Sequence, residues 1–408
     1  MCDTGVVRTR FIGLDVHKHY LVACGVDAEQ NQILGPQRVT LSDLDRWVSR
    51  TLSADDALVL EMTTNTWQLY DELAPFVRSV TVVHPPHVGL VTKVQVKTDR
   101  QAALALAQLH AAGILKPVWV PPPEVRDQRA ILAQRGKMVR LSTQAKNRLH
   151  SVLHRHHLSP PKGNLFAPEG REGWLALPLS LLERARVECD LDTLAFADSQ
   201  ITRLEATLSA LAAEQNDRLV PLLQLPGIAM ISGLTLLAAI GDVARFSTAK
   251  ELVGYAGLGA RVHDSGQTHH TGRITKSGRR DIRCVMVEAA HTASRSHPHW
   301  RAELARLEPR LGHNKAIVAI ARKLLVAVWH VLTKGGADRF AEPEFIARKL
   351  VEHAYRLGRD GRPADLTCGQ YVRLQLDRLG LGADLTAVRL GADRSIGLPP
   401  SQQPVPAS

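Results

Sequence analysis

The sequence predicts a mixed α/β domain at the N-terminus, a long helical region in the middle and a mostly α-helical C-terminal domain. Short apolar runs alternate with amphipathic segments over residues 8–120. Over 124–217, apolar residues recur at spacings of three, four and seven, which is typical of long helices. Apolar helical segments continue over 218–335, and the Gly/Pro-rich residues 360–408 are expected to form a flexible tail.

The N-terminal domain is expected to contain five strands and three helices. The predicted strands are 11–15, 19–27, 33–40, 57–62 and 80–83. The predicted helices are 42–53, 65–77 and 99–114. Acidic residues stand at the ends of the first and fourth strands, Asp15 and Glu61. This order of elements resembles the ribonuclease H fold of the RuvC type.

Two long helices are expected in the middle region. Residues 124–158 suit one basic helix, and 191–214 carry a stripe in which Leu194, Ile201 and Leu208 repeat every seven residues. Two such helices joined by the Pro/Gly-rich segment 159–173 indicate an antiparallel coiled-coil arm or a dimer seam. A simple helical spacer is the structural alternative.

Composition limits the class of partner and the compartment. The net charge is +11, which favours a polyanionic partner, most often nucleic acid. Only 4% of residues are aromatic, which argues against an aromatic stacking platform for single strands. Five Cys lie far apart without a CxxC pair, so neither a disulfide framework nor a Cys-based zinc site is indicated. Without a signal-peptide core or a long uncharged apolar run, the sequence favours a cytoplasmic protein with no membrane contact.

The positive charge is concentrated in two segments that are candidates for phosphate contact. Residues 124–158 hold eight Lys/Arg against two Asp/Glu, and residues 261–283 hold six against two. A solvated helix face is the alternative for each segment alone. The candidate nucleic-acid-binding residues are Arg140, Lys146, Arg148, Arg261, Arg273, Lys276, Arg279, Arg280 and Arg283.

Three acids form a candidate metal site. Asp15 and Glu61 end predicted strands, and Asp99 begins a predicted helix. Carboxylates brought together repel one another unless a cation lies between them, and hard oxygen ligands suit Mg²⁺. Taken singly, each of these acids is more often a surface carboxylate. As a set they predict a site that holds Mg²⁺ against a phosphodiester.

A candidate helix-hairpin-helix lies over residues 226–242. Gly227 and Gly233 would permit a tight turn and close approach of DNA, and the backbone N–H groups of a helix N-terminus can bind phosphate. A structural turn is the default alternative.

Ser265 is the candidate nucleophile. It stands between Asp264 and Gly266 in a Gly-rich basic stretch, and His263 is a possible local base. A serine attacks phosphorus well only if its oxygen is activated and the phosphate charge is neutralised. An Asp-Ser-Gly turn without any chemistry is the common alternative.

Taken together, the motifs resemble the insertion sequence 110 family of transposases over roughly residues 10–335. The matching segments are GLDVHK, VLEMTTNTW, VKTDR, the long LPGIAMISG…VHDSG stretch and GRITKSGRRDIR. The resemblance implies a DEDD domain of RuvC type, a coiled coil and a C-terminal transposase domain with a serine nucleophile. It also implies double-stranded DNA as substrate, Mg²⁺ as cofactor, a homo-oligomer (dimer or tetramer) and a structured non-coding bridge RNA as guide.

Residue by residue, the resemblance places the first three acids on Asp15, Glu61 and Asp99 and the nucleophile on Ser265, with Ser277 as the second choice. The family's fourth acid has no counterpart, because that position is Ala102. Either the metal site works with three carboxylates, with Gln101 or water to complete it, or this copy is impaired. The expected reaction is attack of Ser265 on a DNA phosphate, which joins the two domains in one reaction.

Two other functions remain open from the sequence. A RuvC-like nuclease would use a metal-activated water in place of the serine. A non-catalytic nucleic-acid-binding protein would hold phosphates without cutting, and the absent fourth acid favours it. These alternatives differ in whether strands break and whether a covalent protein–DNA link forms.

Overall fold

The computed structural model describes residues 9–86, 98–265, 268–363, 366–391 and 393–403, with the backbone alone over 262–265 and 268–271. The chain divides into two compact units, residues 1–122 and 123–408. Each unit has its own hydrophobic core.

A five-stranded mixed sheet forms the centre of the first unit. Its strands are β1 (Phe11–Val16), β2 (Tyr20–Val26), β3 (Gln32–Thr40), β4 (Ala57–Glu61) and β5 (Ser79–Val83). Their order across the sheet is β3-β2-β1-β4-β5, with β1, β4 and β5 parallel and the first three strands antiparallel. The helices are α1 (Leu44–Thr51), α2 (Thr66–Leu73) and α3 (Asp99–Ala111). The predicted mixed α/β domain is confirmed.

The two faces of the sheet bury different helices, because side chains alternate along each strand. Ile12 and Leu14 of β1 share a core with α1 and α2. Val59 of β4 packs on Leu106 of α3 across the other face. By the same alternation, Asp15 and Glu61 belong to the face that carries α3.

Gly13 lets α3 lie directly on strand β1. A Cβ at this position would lie 2.0 Å from the carbonyl oxygen of Ala103 and 2.6 Å from the amide nitrogen of Ala107. Both contacts are backbone atoms of α3, so a side chain would push the helix away. The distance between β1 and the start of α3 therefore depends on this glycine.

We expect Gly13→Ala to destabilise the protein by about 2–3 kcal/mol, because the added methyl group must displace helix backbone in a packed core. Thermal unfolding followed by circular dichroism measures the effect. Gly35→Ala is the matched control, since a Cβ at Gly35 meets nothing within 4 Å. Equal melting temperatures for the two variants would contradict the prediction.

The second unit begins with two long antiparallel helices, α4 (Pro123–His156) and α6 (Leu181–Glu214), joined by a segment that contains α5 (Arg171–Leu175). Leu149 of α4 and Val187 and Leu194 of α6 form one buried core with Trp174 of α5. Two ion pairs show that the helices are antiparallel: Arg135 pairs with Glu205, and Arg148, further along α4, pairs with the earlier residue Asp190 of α6. The expected antiparallel pair is present, and supercoiling of the pair stays a prediction.

The remaining described elements of this unit are mostly helices around one large core. They are α7 (Asn216–Leu223), α8 (Met230–Ile240), α9 (Ala249–Tyr255), β6 (Ala260–Ser265), β7 (Thr268–Ile274), α10 (Arg280–Ser296), α11 (Pro298–Leu311), α12 (His313–Lys334), α13 (Pro343–Leu357), α14 (Cys368–Leu379), β8 (Ala387–Arg389) and β9 (Ser395–Gly397). Among the described residues, α12 alone is long and apolar enough to cross a membrane. Its buried residues, which include Ile320, Leu324 and Val328, belong to the core of this unit.

The two glycines of the predicted helix-hairpin-helix are packed inside the unit. Gly227, in the turn between α7 and α8, has φ +78°, and a Cβ there would lie 2.5 Å from the backbone of Ala289. A Cβ at Gly233 would lie 2.4 Å from the Leu219 side chain. Internal packing therefore explains why both positions are glycine, and their contact with DNA stays a prediction.

The flexible tail expected over 360–408 is wrong for most of its length. Residues 368–379 form α14, and β8 pairs with β9. The buried Arg373 holds the segment by donating hydrogen bonds to the carbonyl oxygens of Gly382 and Pro399. Because the bends around α14 are closed by an internal guanidinium, the Gly/Pro-rich composition does not lead to disorder. Residues 364–365, 392 and 404–408 lie outside the described residues.

Candidate active site: an acidic cluster and a serine-bearing hairpin

Asp15 and Glu61 lie beside each other at one edge of the sheet. Strands β1 and β4 run parallel with Leu14 opposite Leu60, and each acid is the next residue of its strand. Both side chains are partly buried, so neither is a freely solvated surface group. The sheet thus brings together the two strand-end acids that the sequence singled out.

Asp99 reaches the same region from the start of α3. Thr98 is the N-cap of this helix, and its side chain accepts a hydrogen bond from the backbone N–H of Gln101. An acid in the first turn is favourable because the helix N-terminus carries partial positive charge. Ala102, at the position where the resemblance implies a fourth acid, follows one turn later and cannot act as a ligand.

A cluster of three possible ligand atoms lies at this edge of the sheet: those of Asp15, His17 and Asp99, all within 4.8 Å of one another. The Nε2 atom of His17 is 3.3 Å from a carboxylate oxygen of Asp15 and 3.3 Å from one of Asp99. In the part of the chain that the structure describes, Glu61 is not within that distance of all three atoms. Two of the three predicted acids are therefore brought together closely, and Glu61 flanks them.

Sequence reasoning missed His17, although a signal was available. His17 stands two residues after Asp15 and directly after the end of β1, so a metal-ligating side chain next to a strand-end acid was visible in the sequence. Tyr20 was missed as well. Its hydroxyl donates a hydrogen bond to Asp99 over 3.0 Å, and this bond to a carboxylate raises the pKa of the phenol.

The loop after β4 connects the acids to the β1–β2 turn. Thr66 donates to the backbone carbonyl of Glu61, and the side-chain amide of Asn65 donates to the backbone carbonyl of His17 over 3.2 Å. The segment TTNT (63–66) thus fixes the turn that carries His17 relative to the end of β4. The acids therefore have fixed positions, because Asp15 and Glu61 lie at strand ends and Asp99 lies at the start of a helix.

The residues present fit a divalent cation. Two carboxylate oxygens supply hard donors, and His17 Nε2 is shielded from solvent without a hydrogen-bond partner among the described residues. Nε2 lies 3.3 Å from an oxygen of each carboxylate without a hydrogen bond to either, which is where a cation shared by the three groups would meet it. The donor set alone does not distinguish Mg²⁺ from another divalent ion.

Ser265 is the last residue of β6, where the strand turns back into β7. It pairs with Thr268, so the hairpin connection is only two residues long. The side chains of residues 262–271 lie outside the described part of the structure, and Gly266 and Gln267 lie outside it entirely. The roles expected for the Ser265 hydroxyl and the His263 ring therefore stay predictions.

The basic residues near this hairpin divide into two groups. The side chains of Arg261, Arg273, Lys276 and Arg280 are exposed. Arg279 pairs with Asp281, and Arg283 donates to the backbone carbonyl of Ala256, so both have internal partners. Arg261, although exposed, also donates to the backbone carbonyl of Thr275, and phosphate contact by the exposed group stays a prediction.

Some basic side chains of helix α4 contact other residues of the protein. Arg148 pairs with Asp190 over 2.6 Å, and Lys146 lies over the ring of Phe166 at 5.5 Å. Arg140 is exposed. Arg148 therefore binds α6 and Lys146 contacts the segment that joins the two helices, which is the structural alternative to DNA contact.

Comparison with known proteins identifies the family. A family profile described as "Transposase" for DEDD transposases of the IS110 type matches residues 12–158, and a second, "Transposase IS116/IS110/IS902 family", matches residues 220–305.

Similar proteins are found in several bacteria. The "Transposase for insertion sequence element IS1111A" of Coxiella burnetii is 26% identical, over 80% of this chain and 90% of that protein. The "Pilin gene-inverting protein" of Moraxella bovis is 27% identical, over 79% of this chain and 95% of that protein. The two profiles match the acidic edge and the α7–α10 region in the order that the motifs predict. The chain therefore belongs to the IS110 family of transposases, and it is a DNA recombination enzyme.

Proposed function

We propose that this transposase cuts and rejoins DNA through a covalent phosphoserine link at Ser265, with a divalent cation held by Asp15, Asp99 and Glu61. The observation that carries the cation site is the meeting of Asp15 and Asp99 around one buried nitrogen at the edge of the sheet. The cation would supply charge neutralisation at the phosphate and activation of the attacking oxygen.

The serine step exchanges one phosphoester bond for another and needs no external energy source. The Ser265 oxygen forms a bond to phosphorus, the bond from phosphorus to one deoxyribose oxygen breaks, and that sugar oxygen takes a proton. The serine proton passes to a base, for which His263 is the candidate. Because the phosphodiester energy is kept in the phosphoserine link, a second sugar hydroxyl can displace the serine and rejoin the DNA.

Exposed cations support the phosphate-binding part of the proposal. Arg261, Arg273, Lys276 and Arg280 are exposed on or next to the β6–β7 hairpin that carries Ser265. Guanidinium groups bind phosphate oxygens in pairs and stabilise the charge that develops during transfer. Double-stranded DNA, as element ends and as target, is the substrate that these groups suit.

We also propose that a structured non-coding RNA guides the reaction and that the chain acts in the cytoplasm as a dimer or tetramer. The family resemblance and the exposed cation Arg140 on α4 support an RNA partner. Sequencing the RNA that co-purifies with the protein tests the guide, and mass photometry measures the oligomer. Background RNA without an enriched structured species would contradict the RNA proposal.

A covalent-trapping experiment tests the function as a whole. Wild-type protein is incubated with DNA that carries the element ends and Mg²⁺ or Mn²⁺, and the DNA is then digested. We expect mass spectrometry to find a nucleotide-modified peptide that contains Ser265, and a chelator to abolish it. Broken strands without any adduct would favour the water-using nuclease. Tight binding without breakage in any divalent cation would favour a non-catalytic protein.

A further inference from the structure

His17 has a nitrogen placed where a cation would need a third ligand. Its Nε2 atom is 3.3 Å from oxygens of both Asp15 and Asp99, and the ring makes no hydrogen bond to either of them. A six-coordinate cation with ligands at about 2.1 Å needs adjacent donor atoms roughly 3 Å apart. The observed separations are close to that spacing.

Several contacts hold the imidazole in this position. Its ring stacks on Tyr20 with the centroids 4.5 Å apart, and the guanidinium of Arg38 lies 3.9 Å from the Tyr20 centroid. The His17 backbone donates to the carbonyl of Tyr20 and accepts from Asn65. Contacts of this kind fix the orientation of a metal ligand before the cation binds.

The fourth carboxylate is absent on the neighbouring helix. Ala102 lies three residues after Asp99 on α3, which places the two positions on the same helix face. A methyl group cannot act as a ligand. The chain therefore has a nitrogen from the β1–β2 turn close to Asp99, and the resemblance implies an acid at the Ala102 position of α3.

We propose that His17 is a ligand of the cation, that it compensates for Ala102, and that it makes the site prefer Mn²⁺ to Mg²⁺. The preference follows because imidazole nitrogen is a poor ligand for Mg²⁺ and a better one for first-row transition ions. This inference rests on the proposed function, since it assumes that Asp15 and Asp99 bind the cation.

Electron spin echo spectroscopy of Mn²⁺ bound to the full-length protein tests the nitrogen ligand directly. We expect ¹⁴N modulation in the wild type, its loss in His17→Ala and its retention in His19→Ala. His19 is the matched control because it is an exposed histidine in the same turn. Wild-type protein with ¹⁵N-labelled histidine gives the same information without a substitution.

Isothermal titration calorimetry measures the affinities for Mn²⁺ and Mg²⁺ and so tests the preference for Mn²⁺. We expect His17→Ala to weaken Mn²⁺ binding at least about tenfold and Mg²⁺ binding less. Adding Ala102→Asp to His17→Ala should restore Mg²⁺ binding, because a carboxylate then replaces the lost ligand.

The two levels of the proposal fail in different ways. Mn²⁺ that binds in an Asp15-dependent manner without ¹⁴N modulation would overturn His17 as a ligand and leave the cation site intact. Mn²⁺ that does not bind, or that binds equally after Asp15→Asn, would overturn the cation site itself. Equal losses of Mn²⁺ and Mg²⁺ affinity in His17→Ala would overturn the preference alone.

Discussion

Asp15→Asn should lower DNA strand breakage at least about a hundredfold, because the substitution removes one carboxylate charge from the cation site and leaves its shape unchanged. The Asp15 side chain is 25% exposed, so the amide does not become a deeply buried unsatisfied group. DNA binding should be retained or strengthened, since a negative charge next to the phosphates is lost. Cleavage of labelled element ends and a binding titration measure the two effects.

Asp45→Asn is the matched control for this prediction. Asp45 is an exposed acid in the first turn of α1, a helix that packs on the face of the sheet opposite α3. We expect its cleavage rate to match the wild type. A rate in Asp15→Asn within a factor of ten of the control would remove Asp15 from the reaction.

Ser265→Ala should eliminate the covalent protein–DNA adduct, a loss of at least about a thousandfold, because no other group of the proposed mechanism forms the bond to phosphorus. Ser265 is the last residue of β6, next to a two-residue connection. Divalent-cation binding should be unchanged, since the predicted ligands lie in the other unit. Gel separation after DNA digestion measures the adduct.

Ser277→Ala separates the two candidate serines. Ser277 is exposed in the loop before α10, among the same basic residues, so it controls for loss of a hydroxyl near phosphate. We expect the full adduct from Ser277→Ala. An adduct that persists in Ser265→Ala and disappears in Ser277→Ala would reassign the nucleophile, and cutting without an adduct in either variant would favour water.

The strands and their acids were predictable because the signal is local. Runs such as FIGLD and ALVLE are apolar enough to be buried on both faces, and an acid directly after a buried run marks a strand end. The position of Asp99 was predictable for a similar reason, since a polar N-cap and an Ala/Leu-rich stretch define where a helix begins. These features place Asp15, Glu61 and Asp99 without any knowledge of packing.

Contacts between distant segments were not predictable in the same way. The approach of His17 to Asp99 depends on the lack of a side chain at Gly13, which lets α3 lie on β1. The use of Arg148 inside the α4–α6 pair depends on the register between two helices. In both cases a residue's neighbour is set by tertiary packing and not by its own sequence window.

Helix α14 was missed even though its start carries a clear signal. Thr367 and Gln370 form a capping box, and Gly380 follows the helix end with φ +72°. The surrounding Gly and Pro residues outweighed that signal in a composition-based prediction. A search for caps inside Gly/Pro-rich segments would have found the helix.

The buried partners of Asn216 have a consequence for the order in which the protein matures. Asn216 accepts a hydrogen bond from the hydroxyl of Tyr371, and the ring of His353 lies 3.2 Å away. His353 lies 137 positions after Asn216 along the chain, and Tyr371 lies 155 positions after it. Since nascent chains emerge from the N-terminus, the ribosome must deliver nearly the whole polypeptide before this polar centre can close. A stop codon before residue 371 would therefore leave Asn216 without its Tyr371 partner.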